Sequence, residues 1–103
     1  MRLLLAPSGP DLADPDDCTR FHVEVSADLG GDRLRGLLAE HDLGKLDEDG
    51  DHIFVATGAL RALAGDRVGD DWATRFDGML SYAASKGWLD QSGTHVRAHI
   101  ERT

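Results

Sequence analysis

DWATRFDGMLSYAASKGWLDQSGTHVRAHIER, residues 71–102, carries two hydrophobic periods in succession, and the switch between them decides how the fold is read. Trp72, Phe76, Met79, Leu80 and Ala83 recur at i, i+4, i+7, i+8 and i+11, the spacing of one apolar stripe along an α-helix. Lys86-Gly87 then supplies a basic last turn and the residue best able to leave a helix in the left-handed conformation. Gln91-Ser92-Gly93 has the chemistry of a turn. From Thr94 to Glu101 the period falls to two, with Val96, Ala98 and Ile100 on one face and His95, Arg97, His99 and Glu101 on the other. A helix feeding a short hairpin is the prediction.

Working back from this stretch, Thr57 is placed to cap a short helix containing Leu60, Leu63 and Ala64, stopped by Gly65, and Asp70 or Asp71 to cap the long one. Leu46 to Val55 reads as a hairpin turning at Asp47-Glu48-Asp49-Gly50, since Asp-Gly is a strong tight-turn signal. Leu34, Leu37, Leu38 and His41 share a helical face that Gly44 ends. Phe21, Val23 and Val25 alternate with His22 and Glu24 as a half-buried strand, and Arg2 to Ala6 reads as a buried one. Pro7 to Asp17 holds all three prolines, Gly9 and four aspartates, and is expected to be an exposed loop. The order β-β-α-β-β-α-α-β-β implies a single α+β domain over residues 1–103, with a small, mostly antiparallel sheet and about three helices on one face.

Composition limits the functions available. The 103 residues suffice for one core, and 41% are hydrophobic, but with two Trp, one Tyr and three Phe the core must be largely aliphatic. A formal charge of −8 argues against a surface that tracks phosphates or anionic lipid, because both depend on lysine and arginine. Its simplest role is solubility, with a basic-surfaced partner or mimicry of nucleic-acid charge as the alternatives. Met1-Arg2-Leu3-Leu4-Leu5-Ala6 is too short for a signal sequence and no stretch nears the roughly 20 apolar residues of a membrane span, so a soluble cytoplasmic protein is expected. One cysteine excludes an internal disulfide.

The candidate chemistry is sparse. Counted from Asp47, an EF-hand loop would need glycine at its sixth position and glutamate at its twelfth, where His52 and Gly58 stand, so the acidic turn is read as a solvated hairpin. His95 and His99 point the same way along one strand but lie about 13 Å apart. One metal with ~2.0–2.1 Å bonds cannot bridge that distance without ligands between, and His22 comes near either only if its strand is a neighbour. No metal or cofactor is therefore expected. Asp16 and Asp17 should hold the Cys18 thiol protonated, the opposite of activation. Neither Ser8-Gly9 nor Gly30-Gly31 fits a phosphate-loop spacing. Arg97, flanked by His95 and His99, either forms an anion site or pairs with Glu24 on a neighbouring strand; the pairing is favoured. His95, Arg97, His99 and His22 are the candidate binding residues. Trp72 and Trp88 bracket the long helix and are both expected in the core, though an exposed indole there would serve as an interface anchor.

Ala59 to Glu101 resembles the winged-helix pattern of short helix, turn, longer helix, Gly-Trp and hairpin. That resemblance implies a regulator whose second helix enters a DNA major groove; here that helix offers Asp71, Arg75, Asp77 and Lys86, with an acid at the entering end. The reading favoured is a non-catalytic binding or interaction module for protein or peptide, or for a second copy of itself. A winged-helix transcriptional regulator is the alternative, and a small enzyme with a site between subunits is the third. Nucleic acid and membrane are not the expected partners.

Overall fold

The computed structural model describes residues 1–102. Its elements run β1 (Arg2–Ala6), β2 (Gly9–Ala13), β3 (His22–Val25), α1 (Gly31–Glu40), β4 (Gly44–Leu46), β5 (His52–Ala56), α2 (Thr57–Ala64), α3 (Trp72–Ser85) and β6 (His95–Arg102). One six-stranded sheet has the order β2-β1-β3-β6-β5-β4. The last strand is thus inserted at the centre, joining an N-terminal three-stranded unit to the β4–β5 hairpin. β1 and β6 each pair with β3 in parallel, while the other three pairings are antiparallel. The sheet is therefore mixed, not mostly antiparallel.

Strand alternation sorts the side chains into two faces. Leu3, Leu5, Leu12, Val23, Val25, Ile53, Val55, Val96 and Ala98 are buried, and they join one core with Leu34, Leu37 and Leu38 of α1, Leu60 and Ala64 of α2, and Trp72, Phe76 and Ala83 of α3. The three helices share this face, as the α+β reading requires. Trp72 and Phe76, inward on the stripe of α3, stack at 4.6 Å between ring centroids. The Trp72 indole N–H donates to the Pro15 carbonyl at 2.6 Å, so its one polar atom is satisfied inside. The opposite sheet face carries Arg2, His22, Glu24, Lys45, His52, Arg97, His99 and Glu101, all half-buried or exposed.

Several expectations are corrected. Pro7 to Asp17 is not all loop, because Gly9 to Ala13 pairs with β1 after a turn at Pro7-Ser8. An edge strand tolerates the missing N–H of Pro10, and Leu12 opposite Leu3 fills the core end of the sheet. Gly44 does not end α1; it opens β4 at φ +140, where a Cβ would run into the Phe54 carbonyl oxygen. His41 caps α1 from outside its buried face. The hairpin of the winged-helix resemblance shrinks to the single antiparallel bridge Leu89↔Val96, with the Asp90 N–H donating to the His95 carbonyl, and β6 continues past it between β3 and β5 instead of closing a wing. Trp88 is 42% exposed instead of in the core.

The hairpin turn falls at Asp47–Gly50 as expected, with Gly50 at φ +74. Thr57 is the first residue of α2 and donates its hydroxyl to the Thr94 carbonyl. Asp71 occupies the N-cap of α3 without a capping hydrogen bond and pairs instead with Arg75. No helix among the described residues is long and apolar enough to cross a membrane.

Candidate functional site

The polar face is organised by the register of three neighbouring strands. Val23 lies beside Ile100 and Glu24 beside Glu101 in the parallel β3–β6 pair, which sets His22 beside His99; on the other edge of β6, His52 lies opposite His99. Three histidines thus form a row across β3, β6 and β5. The rings of His22 and His99 stack at 5.4 Å between centroids, with 21° between their planes. His22 Nε2 lies 3.3 Å from Glu24 and 3.2 Å from Glu101, and His99 Nε2 lies 3.3 Å from Glu101. His22 is therefore a neighbour of His99, the condition under which the two could share a ligand.

Arg97 does not pair with Glu24. Register places Glu24 beside Glu101, four residues along β6 from Arg97 and so about 13 Å away. Glu24 instead accepts from Arg2 at 2.9 Å. Arg97 reaches the other way, donating through Nε to Asp47 and through an Nη to Asp49, both at 2.8 Å. Asp49 also accepts from the Asp51 N–H and meets His52 Nδ1 at 2.8 Å. The Asp51 amide first, then His52 and Arg97, hold the Asp49 carboxyl below its ordinary pKa against the opposing effect of burial. The acidic turn is folded over the sheet by the protein's own guanidinium.

His95 stands apart from the row. It lies 3.3 Å from Asp90 through Nδ1, and its backbone N–H donates to the Asp90 carboxylate, as does that of Thr94. Burial works to raise the Asp90 pKa, but hydrogen bonds from Ser92, His95 and Thr94 outweigh it, and the net shift is downward. Of the four candidate residues, the structure brings His22 and His99 together, gives His95 to the Asp90 turn, and gives Arg97 to the Asp47–Asp49 turn.

A gap in the sheet adds a cleft that sequence reading did not anticipate. β3 begins only at His22, so the edge of β6 before His99 is taken over by residues 88–90, with the Arg97 N–H donating to the Trp88 carbonyl at 2.7 Å. Where the chain at Thr19–Phe21 diverges from Trp88, a cleft of about 420 Å³ opens against Met79, Tyr82 and Ala83, with His52, Arg97 and His99 also lining it. Tyr82 is 58% and Trp88 42% exposed, and their rings meet nearly edge to face at 6.0 Å. They are the large hydrophobic side chains left exposed among the described residues. The signal for Tyr82 was present, since position 82 lies off the apolar stripe. Trp88 gave none, because its exposure depends on how the chain leaves α3.

Burial pushes the Cys18 thiol up, more than Arg75 pulls it down, with smaller upward contributions from Asp17 and Asp16. A protonated thiol is a poor nucleophile. No protein-family model, curated protein or solved structure matches this chain.

Proposed function

We propose that this domain is a non-catalytic binding module whose cleft beside Tyr82 and Trp88 receives an apolar side chain from a protein or peptide partner with a basic surface. The observation that carries this reading is the pair of exposed, edge-to-face aromatic rings at the rim of the cleft. Aromatic side chains supply large, stiff contact area and are enriched among the residues that dominate binding energy. The charge of −8 supplies the electrostatic complement, steering a basic partner and repelling acidic ones. A duplex-DNA partner fits less well, because phosphate affinity is built from clustered lysine and arginine, and Arg2, Arg35, Arg61, Arg67, Arg75 and Arg97 each face a carboxylate.

Selection from a random peptide display library tests this reading. The expected winners combine an aliphatic or aromatic anchor with flanking lysine or arginine, and lose at least tenfold in affinity for Trp88→Ala and for Tyr82→Ala. No enrichment, or peptides that bind both variants as well as the parent, would overturn it.

A further inference from the structure

We infer that His22, His99 and Glu101 form a binding site for a divalent transition-metal cation of the zinc class. One donor atom from each of the three lies within 4.8 Å of the others. A tetrahedral ion with bonds of about 2.0–2.1 Å separates its ligand atoms by about 3.3 Å. His22 Nε2 lies 3.2 Å from one Glu101 oxygen and His99 Nε2 3.3 Å from the other, so each imidazole already stands at ligand spacing from the same carboxylate. Rotation of the exposed Glu101 and His99 side chains would set both nitrogens against one oxygen.

The donors are held by strand register instead of by a flexible loop. His22 and Glu24 project from β3 at i and i+2, as His99 and Glu101 do from β6, and the parallel pairing sets Glu24 beside Glu101. Two carboxylates directly opposite on adjacent strands repel unless positive charge lies nearby. Arg2 answers Glu24 at 2.9 Å, whereas Glu101 meets only imidazoles among the described residues. Glu101 is thus the carboxylate left for a metal; Glu24 also meets His22 Nε2, at 3.3 Å, but is engaged by Arg2 and would yield that nitrogen to the ion. Two imidazoles and one carboxylate suit zinc, nickel, copper or iron, whereas magnesium and calcium favour oxygen donors throughout. Three protein ligands leave a coordination position for water or for a donor from a bound molecule.

The second cluster of potential ligands, Asp47, Asp49 and His52, is the weaker candidate. Arg97 already lies 2.8 Å from both aspartates, so the protein supplies its own cation there.

The test is competition for Zn²⁺ against a chromogenic chelator, with tag-free full-length protein and no peptide present, so that the outcome is separate from that at the aromatic cleft. One equivalent of Zn²⁺ should bind, with Mg²⁺ failing to compete. His22→Ala, His99→Ala and Glu101→Gln should each weaken binding at least about tenfold, since even residues that only orient metal ligands are typically worth 10–100-fold. His95→Ala, four residues from His99 on the same strand and outside the cluster, should bind as the parent does. Circular dichroism separates loss of a ligand from loss of the fold, and the exposed Glu101→Gln supplies a variant expected to stay folded. Absence of stoichiometric Zn²⁺ binding by the parent, or undiminished binding by the folded variants, would overturn the site.

Discussion

The His22 ring stacks on the His99 ring at 5.4 Å, joining the start of the third strand to the last strand of the chain. That contact exists because β6 inserts between β3 and β5, and the same insertion ends the β3–β6 ladder where the aromatic cleft begins. The histidine row and the cleft are two consequences of one topological event.

Core and rim aromatics should separate cleanly by stability. Trp72 is 5% and Phe76 0% exposed, so Trp72→Ala and Phe76→Ala should each cost about 3–5 kcal/mol in urea unfolding. Trp88→Ala should change stability by no more than about 0.5 kcal/mol, as exposed positions usually do. A large loss at Trp88 would mean that its ring supports the fold.

Gly44→Ala should be strongly destabilising, by more than about 1 kcal/mol, because its Cβ would enter the Phe54 carbonyl at a positive φ. Gly50→Ala, also at positive φ but in open space, should cost less. Urea midpoints of the two variants, measured side by side, decide the matter; equal losses would contradict the close approach of β4 to β5.

Arg97→Ala should leave the melting temperature little changed but speed amide exchange at Asp51 and His52, whose N–H groups donate to the Asp49 carboxylate beside it. Arg97→Glu should loosen the turn further by setting a third carboxylate against Asp47 and Asp49. Global unfolding of either variant would show that the polar sheet face is structural throughout.

Acid, and not a change around neutral pH, should weaken the two acidic turns. The Asp49 and Asp90 carboxyls titrate below their unfolded-state value of about 3.9, so their contribution to stability is complete above that pH. It is lost as pH falls through their lower folded-state values. Asp49→Asn and Asp90→Asn should therefore each flatten the fall in stability on acidification, read from thermal melts at a series of acid pH values. An unchanged slope in both would remove the assigned hydrogen bonds.

Much of this architecture was legible wherever a period was long and undisturbed. The stripe from Trp72 to Ala83, the alternation through β6 and the Asp-Gly turn each encode their own local geometry. Strand order is a matter of pairing between distant segments, and nothing local to His95–Arg102 says that it will lie between β3 and β5. The mixed sheet, the partner of Arg97 and the neighbour of His22 all follow from that order, so they were hidden together. β2 escaped notice because proline and aspartate are poor strand formers, a preference that an edge position relaxes at Pro10. Within the site, the histidines and Arg97 were visible as one polar face, but their division among three separate partners was not.

The most direct test of the binding account uses the two indole N–H signals in a ¹H–¹⁵N spectrum during titration with a selected peptide. Trp72 donates to Pro15 inside the core, whereas Trp88 lies half-exposed at the cleft, so each signal reports a different environment. The account predicts that the Trp88 signal shifts with peptide concentration while that of Trp72 stays in place. A stationary Trp88 signal under saturating peptide would contradict it.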